Sequence, residues 1–190
     1  MPSAVRDKFE VAETHHASSI LYTDFRAEWD DLVEALSGFV LPRTKILKPG
    51  KNKSEISKGI DTFFYKRNWK EHTFKIKIEA DDVVRLAPTH HVDYFRNRVA
   101  IETEWNNKDP FFDRDLTTFR LLFELDVLSV GIIITRATEL QKLFKQLGKK
   151  AFGKSTTHMD KLKPKLENRA SGGCPVLAFG IKSAAYDPNS

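Results

Sequence analysis

The segment HVDYFRNRVAIETEW, residues 91–105, carries the pattern on which the interpretation of this chain depends. Its core, VAIETE, alternates as a β-strand does, so Glu102 and Glu104 lie on the same strand face. Asp93 lies nine residues before Glu102 and adds a third carboxylate nearby. Spacing alone leaves two interpretations open: a solvated acidic face of an amphipathic strand, or acids gathered to bind a cation.

A cation site at this strand would be an all-oxygen site. The main-chain carbonyl of Thr103, between the two glutamates, can serve as a further ligand, and Asp93 reaches the same ion if residues 94–98 turn back beside the strand. Three acids without a cation would repel one another and raise each other's pKa. Mg²⁺ is favoured over zinc because the sequence has no cluster of cysteine or histidine residues.

Length and composition indicate one globular domain, residues 1–190. Apolar residues make up 41% of the 190 residues and charged residues 30%, which is ordinary for a soluble protein. The longest apolar run is too short to span a bilayer, and the first residues lack the apolar segment of a signal peptide. The single cysteine, Cys174, excludes an internal disulfide. We expect a cytoplasmic protein with no membrane association.

The net charge of +5 is distributed unevenly along the chain. Residues 42–58 carry six basic side chains and one acid, and residues 142–169 carry nine and two. Residues 93–126 between them carry eight acids and five bases. An acidic centre framed by basic segments suits a polyanion held by its phosphates, although lysine-rich stretches are also common as solvated surface.

Periodicity predicts an α/β fold with a central mixed β-sheet flanked by helices. Helices are predicted at 24–39, with Asp24 as the N-cap and Gly38 at the end, at 113–126, and at 138–150, capped by Thr138. Strands are predicted at 73–80, around 99–104, at 128–136 and at 174–182. Residues 153–173 are predicted to be rich in loops.

The stretch VDYFRNRVAIETEWNN resembles the active-site region of the BglII, BstYI and BamHI group of type II restriction endonucleases. The segments FRAEWDDLVEAL, RNWK, LSVGIIITRATEL and CPVLAFGIK are similar to flanking segments of that group, so the resemblance covers most of the chain. It implies a restriction-endonuclease-like fold. It also implies that Asp93, Glu102 and Glu104 are catalytic, with Asp93, Glu102 and the Thr103 carbonyl binding Mg²⁺. Glu104 takes the position of the lysine in PD-(D/E)xK nucleases.

The implied activity is Mg²⁺-dependent cleavage of double-stranded DNA by a prokaryotic homodimer acting in host defence. The resemblance further implies a palindromic site, centred on GATC and cut to leave 5′ overhangs. The group also uses a polar residue upstream of the aspartate, for which His72, Glu71 and Glu79 are all candidates.

Basic residues in both lysine-rich segments are candidates for contacts with DNA phosphates. They are Arg43, Lys45, Lys48, Lys51, Lys53, Lys149, Lys150 and Lys154.

Two alternatives remain at this point. One is a DNA-binding protein of the same fold that has lost cleavage. The other is a P-loop nucleotide-binding protein, because GKKAFGKS at 148–155 fits the Walker pattern. A helix predicted directly before Gly148, where a P-loop requires a strand, counts against the second alternative.

Overall fold

The computed structural model describes residues 1–48, 55–86, 90–105, 107–149 and 155–190. The strands in these residues are β1 (Phe9–Glu13), β2 (Leu41–Pro42), β3 (Lys70–Phe74), β4 (Lys77–Ala80), β5 (Val83–Leu86), β6 (His90–Arg96), β7 (Val99–Thr103), β8 (Val130–Arg136), β9 (Val176–Ile181) and β10 (Tyr186–Asp187). The α-helices are α1 (Ser3–Lys8), α2 (Ala17–Asp24), α3 (Arg26–Ser37), α4 (Arg43–Leu47), α5 (Glu55–Tyr65), α6 (Pro110–Glu124), α7 (Leu140–Gln146) and α8 (Met159–Glu167). A 3₁₀ turn covers Ser183–Ala185.

Six of the strands form one mixed sheet in the order β1-β9-β8-β7-β6-β3. Strands β7, β8 and β9 are parallel neighbours at its centre. At one edge β1 runs antiparallel to β9, and at the other β6 and β3 continue the sheet in antiparallel pairs. The predicted α/β fold with a central mixed sheet is therefore confirmed.

Helices cover both faces of this sheet, because its central strands are apolar on both sides. Every residue of β8 is buried. One face packs against α3 and α5, whose buried residues include Trp29, Leu32 and Phe64. The opposite face, which includes Ala100 and Ile133, packs against α6 and α8. By strand alternation Glu102 lies on the face of Ala100, so α6 covers the strand that carries the acids.

Gly131 in β8 allows α6 to approach the sheet closely. A Cβ added at this position would lie 2.3 Å from Cδ2 of Phe119, far inside van der Waals contact. The Phe119 ring thus occupies the space that any other side chain would need. This contact therefore requires a glycine in β8 opposite Phe119.

Several local predictions were wrong. Helix α3 begins at Arg26, with Phe25 rather than Asp24 preceding it, although it ends at Gly38 as expected. Thr138 does not cap α7, and its hydroxyl is instead hydrogen-bonded to His158 at 3.0 Å. The single strand predicted at 73–80 is divided between β3 and β4.

The region predicted to be rich in loops contains α8, even though Pro164 lies inside this helix. Met159, Leu162 and Leu166 recur at helical spacing and are all buried against the sheet. Burial of this apolar stripe offsets the hydrogen bond that the proline removes. Among the helices of the described residues, none is both long enough and apolar enough to cross a bilayer.

Candidate active site

The β6–β7 hairpin brings Asp93 beside Glu102. Asn97 and Arg98 form its turn, with φ angles of 44° and 66°, and Tyr94 lies opposite Ile101 in the register. The main-chain N–H of Thr103 donates a hydrogen bond to Asp93 Oδ2 at 2.9 Å, and that of Asp93 donates to Glu102 Oε2 at 3.4 Å. The chain thus turns back beside the strand as the metal-site interpretation required.

The pairing of β6 with β3 contains a β-bulge at the position of Asp93. His72 pairs with Val92 and Lys70 pairs with Phe95, so two steps along β3 match three steps along β6. The extra residue falls between Val92 and Phe95, where Asp93 lies. Bulges turn side chains out of the regular alternation and are common next to active sites.

Glu102 and Glu104 are buried, each with 2% of its surface exposed. This burial excludes the interpretation of a solvated strand face. Glu104 Oε2 accepts a hydrogen bond from Asn107 Nδ2 at 2.7 Å, and the Thr135 hydroxyl donates to the Glu104 carbonyl at 2.7 Å. Glu102 Oε1, in contrast, is buried and receives no hydrogen bond from any described residue.

Helix α6 adds Asp115 and Arg114 to the cluster. Asp115 is 1% exposed, and its Oδ1 accepts hydrogen bonds from Nε and Nη2 of Arg114 at 3.0 and 2.7 Å. Nη2 of Arg114 also lies 3.5 Å from Glu104 Oε1. The sequence-based interpretation missed both residues. The available signal was a charge on the buried stripe of an amphipathic helix, because Asp115 lies between Phe112 and Phe119 at helical spacing.

Burial raises the pKa of the three buried acids. Desolvation is the largest effect on Glu102, whose pKa lies well above its usual range, with further repulsion from Asp115 and Asp93. Burial, followed by repulsion from Asp115, raises the pKa of Glu104 to about 9. Burial raises the pKa of Asp115 to about 6, opposed by the Arg114 guanidinium. A bound cation would reverse this tendency by favouring the charged carboxylates.

The donor set of the cluster fits Mg²⁺ chemically. Glu102 Oε1 and Asp115 Oδ2 are buried oxygens that no donor among the described residues satisfies. Hard carboxylate oxygens are the ligands that Mg²⁺ prefers. In the part of the chain that the structure describes, no three Asp, Glu, His or Cys side chains are already arranged as metal ligands. Binding an ion would therefore require the carboxylates to shift toward one another.

The residues considered for an upstream polar position make other contacts. Glu71 forms an ion pair with His91 at 3.0 Å, and Glu79 forms one with Lys77 at 2.7 Å. The His72 ring packs against Phe74 and Phe95. All three candidate side chains are exposed.

Four of the basic residues proposed to contact DNA are among the described residues, and they lie in two places. Arg43 and Lys45 are in α4, and Lys48 directly follows it. Lys149 follows α7, which is the helix expected before the Walker-like sequence, so the context that a P-loop needs is absent there. Lys51, Lys53, Lys150 and Lys154 lie outside the described residues.

A polar network anchors the hairpin to α3. Asp31 Oδ2 accepts hydrogen bonds from Trp69 Nε1 at 3.0 Å and from Arg96 Nη1 at 2.7 Å. Arg96 Nε also lies 3.2 Å from Oε1 of the buried Glu28. The segments FRAEWDDLVEAL and RNWK therefore meet at Arg96, three residues after Asp93, and hold β6 in place.

Comparison with known proteins gives the chain its family. No curated protein matches it significantly. The family model described as restriction endonuclease BglII/BglIII matches residues 9–181, which run from β1 to the end of β9 and include the whole acidic cluster. With a match over most of its length, the chain belongs to the BglII/BglIII family of restriction endonucleases.

Proposed function

We propose that this restriction endonuclease is a type II enzyme that cleaves double-stranded DNA by Mg²⁺-dependent phosphodiester hydrolysis. The observation that carries the proposal is the group of buried acids at the β6–β7 hairpin, in which Glu102 Oε1 receives no hydrogen bond from the described residues. Buried charges in proteins are paired or coordinate metal ions. A Mg²⁺ ion beside a scissile phosphate would give these acids a role in the family's reaction.

In the proposed mechanism Asp93, Glu102 and the carbonyl of Thr103 would hold the ion. When bound, Mg²⁺ supplies positive charge that polarises the phosphate and offsets the charge developing during hydrolysis. The Thr103 N–H, which donates to Asp93 Oδ2, holds the Asp93 carboxylate next to the strand that carries Glu102.

Glu104 has two possible roles in this mechanism: it contacts the metal, or it orients the attacking water. Asn107 Nδ2 donates to Glu104 Oε2 at 2.7 Å, and Glu104 Oε1 lies 3.5 Å from Arg114 Nη2. For the second role an ionised carboxylate oxygen accepts a hydrogen bond from the water and so holds it in position. In-line attack then leaves a 5′-phosphate and a 3′-hydroxyl.

We further propose a homodimer acting at a palindromic site. A two-fold dimer places two active sites on the two strands, and the symmetry of the DNA site then matches that of the protein. By resemblance to its group, the site is centred on GATC and is cut to leave four-base 5′ overhangs. Sequencing the ends of digested fragments tests this part, and blunt or 3′-extended ends would contradict it.

The main experiment is incubation of the protein with phage DNA and Mg²⁺, where discrete bands are expected. Glu102→Gln and Asp93→Asn should abolish cleavage, because each change removes a charge needed to hold the ion, while retaining DNA binding in a gel-shift assay. Glu124→Gln is a matched control, since Glu124 is an exposed acid of α6 that pairs with Arg120. Cleavage by Glu102→Gln at the rate of the control would show that the carboxylate assignment is wrong.

A further inference from the structure

We propose that Asp115 of α6 is an additional carboxylate ligand of the cation site, beside Asp93 and Glu102. The inference rests on the proposed Mg²⁺-dependent function and adds a ligand from a helix to a site otherwise built on the β6–β7 hairpin.

The first argument is the unequal use of the two Asp115 oxygens. Oδ1 accepts two hydrogen bonds from Arg114, whereas Oδ2 is buried and receives none from the described residues. A structural ion pair with Arg114 accounts for Oδ1 alone. The Glu104 carboxyl is a second hydrogen-bond partner of Asp115, but it can donate only while it keeps its proton, and a bound cation would remove that proton. A buried carboxylate oxygen without a donor is strongly unfavourable unless another positive group reaches it.

The second argument is that Glu102 shows the same deficit on the facing element. Its Oε1 is also buried without a donor from the described residues. Helix α6 covers the face of β7 that carries Glu102, and repulsion from Asp115 affects the Glu102 carboxyl more than repulsion from Asp93 does. Two neighbouring carboxylates, one on a strand and one on a helix, thus each have a buried oxygen without a donor, and one ion would satisfy both if the carboxylates shift toward one another.

The third argument concerns Arg114. Its side chain is 55% exposed, and it lies at the outer side of the cluster, reaching Asp115 Oδ1 at 2.7 Å and Glu104 Oε1 at 3.5 Å. A guanidinium in this position orients the Asp115 carboxylate and leaves Oδ2 directed away from it. We therefore assign Arg114 a positioning role and Asp115 the ligand role.

The test is Mn²⁺ binding by the DNA-free protein, followed by the electron paramagnetic resonance signal of free Mn²⁺. Asp115→Asn should weaken Mn²⁺ binding by at least about 10- to 100-fold, the loss that is typical when a group supporting a metal ligand is changed, because here a ligand itself is removed. Asp113→Asn is the matched control: it lies on the same helix, is 56% exposed and pairs with Lys165, so its affinity should equal that of the wild type. Glu102→Gln reports on the site itself and should lose binding.

The variants separate the two proposals. If Asp115→Asn binds Mn²⁺ as tightly as the wild type while Glu102→Gln does not, the ligand role of Asp115 is wrong and the proposed function stands. If the wild type fails to bind Mn²⁺, or Glu102→Gln binds normally, the carboxylate site itself is wrong and the inference about Asp115 falls with it.

The melting temperature measured in the presence of a chelator distinguishes a purely structural role of Asp115 from the proposed ligand role. The amide oxygen that the Asp115→Asn change introduces can still accept from Arg114, so this variant should melt at or above the wild-type temperature once a buried charge is removed. A lower melting temperature with unchanged Mn²⁺ affinity would mean that Asp115 only supports the fold. If the Asp115→Asn variant does not fold, Asp115→Ser repeats the binding measurement with the carboxylate removed, and the same affinities decide the outcome.

Discussion

Without metal, the protein should become less stable as the pH rises from 6.5 to 8.5, because Glu104 keeps its proton only when folded. Burial and the nearby Asp115 raise the pKa of Glu104 from 4.5 to about 9. At pH values between these two pKa values, the folded state binds one more proton than the unfolded state. Stability gained from this proton is complete below the unfolded pKa and is lost as the pH rises toward the folded pKa.

The size of the effect follows from one proton. A difference of one bound proton changes the free energy of unfolding by about 1.4 kcal/mol per pH unit, or about 3 kcal/mol between pH 6.5 and 8.5. For a chain of this length, about 1 kcal/mol corresponds to a shift of about 2–4 °C in melting temperature. Glu104 alone should therefore lower the melting temperature by about 6–12 °C across this interval.

Urea denaturation in EDTA at several pH values measures this slope. Glu104→Gln is the matched variant, since a glutamine can keep the contact with Asn107 but cannot titrate. Both proteins share all the other ionisable groups, so the difference between the two slopes reports on Glu104 and on its coupling to Asp115. Equal slopes for the wild type and Glu104→Gln would refute the reasoning. Saturating Mg²⁺ should flatten the wild-type slope, because a bound cation holds the carboxylates ionised in the folded state.

Other predictions test the packing of α6 and the basic residues in and directly after α4. Gly131→Ala should destabilise the protein by about 1–3 kcal/mol in urea melts, because the new Cβ overlaps the Phe119 ring. Gly59→Ala is the control, since Gly59 lies inside α5 and, among the described residues outside that helix, the atom nearest to its new Cβ would be Lys45 Nζ, at 3.5 Å. This change should raise the free energy of unfolding by about 0.4–1 kcal/mol. Arg43→Ala and Lys48→Ala should each reduce the slope of log affinity for DNA against log salt by about one phosphate contact. An unchanged slope would show that these side chains are solvated and do not contact DNA phosphates.

The sequence was sufficient for the elements whose local pattern agrees with their packing. Strand β8 is apolar on both faces and is buried throughout. The alternation around Ile101 predicted β7, and helix α3 ends at Gly38 as its pattern indicated. In each of these elements the apolar residues recur at the spacing that places them on the face buried by the rest of the fold.

Prediction failed where a long-range contact decides the outcome. Pro164 argues against a helix locally, and only the burial of the α8 stripe against the sheet outweighs it. The strand predicted at 73–80 is interrupted because β3 joins the large sheet while β4 pairs with β5. Lys51 and Lys53 lie outside the described residues, so their proposed contacts with DNA stay predictions.

The acidic cluster shows the same limit in the site itself. The spacing placed Glu102 and Glu104 on one strand face and brought Asp93 to them only if residues 94–98 turned back, and it could not separate a solvated face from a buried one. Helix α6 decides between the two, because it covers this sheet face and brings Asp115 close to the glutamates. Replacing buried charged groups with apolar residues of similar size often leaves a protein equally or more stable. Stability therefore gives no reason to bury three or more acids in one place, whereas binding a cation beside a phosphate does.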